Sequence, residues 1–116
     1  MRAEVDIPIR TVSEANGREH WAVKAKRVKL HRNTAHRVAA MALKGEKPLP
    51  CVVTLTRVSP RELDDDNLRS ALKATRDGIA DWLGVDDRDP RIRWEYGQAK
   101  ASKYQAVRMV ITGEQA

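Results

Sequence analysis

DDDNLRSALKATRDGIADWLG, residues 64–84, reads as one helix with both its start and its stop in place. Leu68, Ala71, Leu72, Thr75, Ile79, Trp82 and Leu83 recur at three- to four-residue spacing and form a single apolar stripe. Gly84 supplies the left-handed terminator, so the spacing predicts a helix from about Asp66 to Leu83. The start carries more charge than a helix needs. One Asp suffices as a cap, and an acid in the first turn gains only about 0.3–1 kcal/mol from the helix dipole. Three adjacent carboxylates, Asp64, Asp65 and Asp66, also repel one another. In extended backbone, residues i and i+2 point the same way, so Asp64 and Asp66 would converge while Asp65 caps the helix or faces solvent. On a continuous helix the same pair would lie on nearly opposite sides. A hard cation such as Mg²⁺ takes one or two carboxylates together with water and substrate phosphate. The competing reading is an over-acidic helix cap.

Outward from this helix, Cys51–Val58 is rich in β-branched residues and reads as a strand, closed by Ser59-Pro60-Arg61-Glu62. Beyond the helix, Val85 to Pro90 is a second acidic loop, carrying Asp86, Asp87 and Asp89. Ile92, Trp94 and Tyr96 then alternate as a strand, Gly97 to Lys103 reads as a polar turn, and Tyr104 to Thr112 returns as another strand. The last two strands are expected to form a hairpin. At the N-terminus, Val5, Ile7 and Ile9 share one face of a strand from Ala3 to Arg10, with Pro8 marking an edge. Ser13 to Gly17 is a loop, and Asn16 with Glu19 has the spacing of a capping box. A long basic helix is expected from about Arg18 to Leu43, along a stripe of Trp21, Ala25, Val28, Ala35, Ala39 and Ala42. Asn33-Thr34 is a place where it could break, and Gly45, Pro48 and Pro50 end it. The order β-α-β-α-β-β implies an α+β fold, a mixed sheet with two helices packed against it, in one domain spanning residues 1–116. With no Phe present, Trp21, Trp82 and Trp94 are expected to supply core bulk.

The chain carries a net charge of +6, unevenly placed. Between Arg18 and Lys47 only Glu19 and Glu46 oppose a run of Lys and Arg, whereas more than half of the 16 acidic residues lie between Glu62 and Asp89. That segregation suggests one surface for phosphates and one site for a cation. Lys24, Arg27, Arg32, Arg69 and Lys100 are the candidate DNA contacts, acting through charge without reading bases. Cys51 is alone, which excludes an internal disulfide and a cysteine-based zinc site and fits a reduced, cytoplasmic setting. No segment has the apolar length of a membrane span. His20, His31 and His36 lack metal-ligand spacing and are expected at the surface.

Asp64-x-Asp66-Asn67-Leu68, the amphipathic helix, and Asp86-Asp87 before an Ile-containing strand together resemble the RusA family of Holliday junction resolvases. The element order is similar as well, and the resemblance is concentrated between Arg61 and Trp94. It implies a homodimer that binds four-way DNA junctions or other branched DNA and cuts them in pairs with Mg²⁺, or Mn²⁺ in its place, without a small-molecule cofactor. Asp64 and Asp66 would then be metal-binding catalytic residues, with Asp87 as the third and Asp89 competing for that role. Asp87 follows the far end of the helix, roughly 25 Å from its start, so the fold or a second copy must bring it back. Ser70 stands where the family has a lysine. Arg69 and Lys73 are the nearby replacements, of which only Lys73 can give up a proton at ordinary pH. Two other readings remain: a non-catalytic DNA-binding protein of the same fold, and a protein-interaction module whose acidic loop docks a basic partner.

Overall fold

The computed structural model describes residues 1–12 and 20–113. Six elements follow one another: β1 (Arg2–Ile7), α1 (Trp21–Leu43), β2 (Cys51–Ser59), α2 (Asp65–Leu83), β3 (Ile92–Lys100) and β4 (Ala106–Gly113). The expected order and α+β class hold: a four-stranded mixed sheet carries both helices on one face. No helix among the described residues is long and apolar enough to cross a membrane.

The sheet order is β1-β4-β2-β3, with β2 antiparallel to β4 and parallel to β3. The expected terminal hairpin therefore does not form. β4 passes over to the far side of β2 and pairs with β1, leaving β3 as an edge. The strands' alternation explains the exchange. Val107, Met109 and Ile111 are fully buried, so β4 takes an interior position, while β3 offers charged Arg93 and Glu95 at the rim. β3 also continues through Gly97 to Lys100 where a turn was expected, because Gln98 and Ala99 stay in register with Arg57 and Val58.

The core lies between sheet and helices, built from Ile7, Val53, Leu55, Leu72, Ile79, Met109 and Ile111 among others. α1 runs unbroken through Asn33-Thr34. Its buried residues are His31, Ala35, Ala39 and Leu43, and Trp21 to Leu30 contains none. Trp21 is 75% exposed, so it adds nothing to the core. His31 is buried where a surface position was expected, because it sits on the α2-facing stripe one turn before Ala35. The Asn16–Glu19 spacing lies outside the described residues; His20 is the α1 cap, its Nδ1 accepting from Ala22 N at 3.2 Å.

The two helices run side by side in the same direction. Arg32 of α1 meets Asp81 of α2 through a two-pronged pair, Nε–Oδ2 at 2.6 Å and a terminal guanidinium nitrogen to Oδ1 at 2.9 Å. His36 stands edge-on to Trp82. Gly78 permits the close crossing: a Cβ there would overlap the Arg32 carbonyl oxygen and stand 2.9 Å from the Ala35 Cβ.

Candidate metal and nucleic-acid site

Asp64 is the cap of α2. Its backbone is extended, at φ −69° and ψ 168°, and the helix begins at Asp65. One carboxylate oxygen accepts from Asn67 N at 2.9 Å and the other from the Asn67 side-chain amide at 3.1 Å. The capping role thus falls to Asp64 and not to Asp65. Asp66 is already inside the helix, so the extended alternation that would align it with Asp64 ends one residue too early. All three carboxylates are exposed. Asp65 lines a cleft of about 340 Å³ with Arg69, Glu95 and Tyr96, between the first turn of α2 and β3. Sequence reasoning passed over Glu95, because its place opposite that turn depends on strand pairing, which alternation does not reveal.

Asp87 is drawn back toward α2, but only part of the way. Its carboxylate lies 2.8 Å from Lys73 Nζ and 3.0 Å from Arg76 Nε. Lys73 is eight residues past Asp65, about 12 Å of helix rise from the first turn. Arg76 and Trp94 Nε1 also donate to the Asp87 backbone oxygen, at 2.9 and 2.8 Å, and Arg76 reaches Tyr96 Oη at 2.6 Å while stacking over Trp94. The acidic loop is thereby fastened to the middle of α2. Asp64, Asp66 and Asp87 are not gathered. Among the described residues no three His, Cys, Asp or Glu side chains lie where they could share an ion. A Mg²⁺ at the first turn of α2 would find one or two of its exposed carboxylates as ligands and would need other oxygens to complete its shell. Among the described residues the donor set does not fit a three-carboxylate site. Asp89, the other candidate, is paired with Arg91, whose guanidinium holds it at about 2.

Lys73 bridges Asp77 and Asp87, each at 2.8 Å. Partial burial pulls its ammonium down, but the two carboxylates outweigh that and hold it above the ordinary lysine value. These two pairs make Lys73 a clamp between helix and loop. Ser70 lines, with Lys24 and Lys73, a cleft between α1 and α2. The other expected DNA contacts divide. Lys24 is exposed, as are Lys26, Lys29 and Arg37 along α1. Arg32 is committed to Asp81, Arg69 lies over the Tyr96 ring, and Lys100 is 4.0 Å from Glu62. Arg27 is half-buried.

The ion pairs set the response to acid. Hydrogen bonds from Lys73 hold Asp87 below the usual carboxylate range, and those from Arg32 and Arg108 do the same for Asp81 and Asp6. A depressed folded-state pKa contributes stability that is present above the unfolded value, near 3.9, and is lost as pH falls through the folded value. The urea midpoint is therefore expected to be flat from pH 7 to about 5 and to fall steeply below about 4. Asp81→Asn should make that acid limb shallower.

No family model matches this chain. It is 40% identical over 82 residues to an uncharacterized protein of Xylella fastidiosa (strain Temecula1 / ATCC 700964), a match covering 63% of this chain and 52% of the relative. The chain thus spans about half the length of the relative it matches.

Proposed function

We propose that this chain is a metal-dependent, structure-selective endodeoxyribonuclease that acts on branched DNA such as a four-way junction. One observation carries the reading: the carboxylates of Asp64, Asp65 and Asp66 stand exposed at the start of α2, beyond what its cap requires. A divalent ion held there would supply charge neutralisation at a scissile phosphate and a hydroxide at neutral pH. The exposed Lys24, Lys26 and Lys29 offer phosphate contacts whose strength should fall with salt. The β-α-β-α-β-β order supports the RusA resemblance, though without the terminal hairpin that it included, and a cytoplasmic location belongs to the same reading.

A homodimer is part of this proposal. Val23, Leu30 and Met41 are 52%, 59% and 76% exposed. Their spacings of seven and eleven residues place them in one line along the outer face of α1, where a second copy would cover them and set two sites against two related phosphates.

The same-fold, non-catalytic DNA-binding reading is favoured by a different observation, the fastening of Asp87 to Lys73 and Arg76. The two readings part in one experiment. A labelled four-way junction incubated with the protein and Mg²⁺ should be nicked in paired strands, and EDTA should abolish nicking without abolishing the gel shift. Binding with no cutting in Mg²⁺ or Mn²⁺ would support the second reading. No binding even at low salt would point to the protein-interaction module.

A further inference from the structure

Arg57 is buried, 7% exposed, on the face of β2 that also carries Cys51, Val53 and Leu55. The period of two makes this visible in the sequence: an arginine occupies the next core-facing position after three apolar ones. Its Nε donates to Thr11 Oγ1 at 2.7 Å, and one terminal nitrogen donates to the Arg61 backbone oxygen. Both acceptors are neutral. Among the described residues no carboxylate faces this guanidinium, and its other terminal nitrogen makes no hydrogen bond. A buried cation without a counter-charge is costly to desolvate, and arginine cannot escape by losing its proton at neutral pH.

What surrounds Arg57 adds positive charge. It lines a cleft of about 340 Å³ at the carboxyl end of β2, together with Arg10, Arg61, Gln105 and the buried hydroxyl residues Thr11 and Ser59. Arg10 and Arg61 are exposed and have no ion-pair partner among the described residues. Three guanidiniums around hydroxyl and amide groups make a donor set matched to a tetrahedral oxyanion, which arginine can bind by two parallel hydrogen bonds. Burial draws the Arg57 guanidinium below its ordinary value, the cost that a bound anion would offset.

The geometry points to a phosphate-binding pocket built on Arg57, with Arg10 and Arg61 at its mouth, that takes a phosphate group as free ion, nucleic-acid end or backbone. It is separate from the carboxylates of the α2 turn and needs no metal, so it stands or falls independently of the nuclease reading.

The test uses the full chain in EDTA, comparing sodium phosphate with sodium chloride at equal ionic strength. Phosphate at a hundredfold excess over its Kd should raise Tm by roughly 10–12 °C. Arg61→Ala and Arg10→Ala, both at exposed positions, should keep the Tm measured in chloride yet lose most of that rise. Arg57→Met should lose all of it. A second arm competes bound phosphate, followed by ³¹P NMR, with single-stranded oligonucleotides bearing a 5′-phosphate or a 5′-hydroxyl. A tenfold advantage for the phosphorylated strand assigns a nucleic-acid end, equal displacement assigns backbone phosphate, and displacement by neither assigns the free ion. A wild-type Tm identical in phosphate and chloride would overturn the proposal, as would an Arg61→Ala variant that keeps the full rise. Arg57 would then be a structural tie between the Thr11 segment and the Arg61 turn.

Discussion

Asp66→Asn is expected to reduce junction nicking by roughly 10²–10³-fold while leaving junction affinity within about threefold of wild type. The magnitude follows from the ion's contribution. Neutralising charge at the phosphate is worth several kcal/mol of barrier, and each 1.36 kcal/mol is tenfold in rate. Asparagine keeps the size and one oxygen but loses the anion that attracts the cation. Asp66 is exposed in the first turn of α2 and makes no capping bond, so the fold should tolerate the change. Removing a negative charge near a polyanion should, if anything, tighten DNA binding slightly. Asp64→Asn is a less clean probe because Asp64 also caps α2. Asparagine keeps the bond from Asn67 N but loses the second bond from the Asn67 side-chain amide and the negative charge favoured at a helix start. Parallel gel-shift and nicking titrations check the prediction. Equal loss in both would mean that Asp66 serves binding and not chemistry.

Gly78→Ala is expected to destabilise the protein by about 2 kcal/mol, read as a lower urea midpoint with an unchanged slope. Helix propensity alone predicts the opposite sign, because alanine is favoured over glycine in a helix interior by about 1 kcal/mol. The crossing of α1 and α2 decides the matter. The added methyl would overlap the Arg32 carbonyl oxygen and press on the Ala35 Cβ. Neither is a flexible side-chain tip, so the helices must separate, loosening the Arg32–Asp81 pair and the Ala35 and Ala39 contacts. Against a total stability of about 5–15 kcal/mol the effect is large. A neutral or stabilising Gly78→Ala would contradict the close parallel packing.

Much of this architecture was legible because period and punctuation agree. In α2 the stripe from Leu68 to Leu83, the Asp cap and the Gly84 stop all specify one element, and it forms over Asp65–Leu83. The order of strands and helices followed from the same signals. Strand neighbours did not, since alternation tells which face is buried but not which partner a strand takes. Sequence adjacency favoured a β3–β4 hairpin, whereas β4 pairs with β1 and β2. Trp21 shows a second limit: its spacing fits the α1 stripe, yet it is 75% exposed and the buried part of that stripe begins only at His31.

The candidate site was legible in its residue types and less so in its geometry. The carboxylates of the α2 turn are all exposed, where Asp64 and Asp66 were expected to converge, and the cap falls one residue earlier and places Asp66 on the helix. Asp87 could be singled out from the sequence; its partners Lys73 and Arg76 could not, because they depend on how far the acidic loop folds back. Arg57 carried a readable signal in its parity along β2. That no carboxylate among the described residues faces it emerges only when Thr11 and the Arg61 turn are seen to close around it.

The central claim is that the first turn of α2 holds a divalent ion. Anomalous diffraction from crystals soaked in Mn²⁺ tests it most directly. The account predicts an ion peak with carboxylate oxygen of Asp64, Asp65 or Asp66 within about 2.2 Å. No ordered ion at that turn, or one bound elsewhere with these carboxylates still facing solvent, would contradict it.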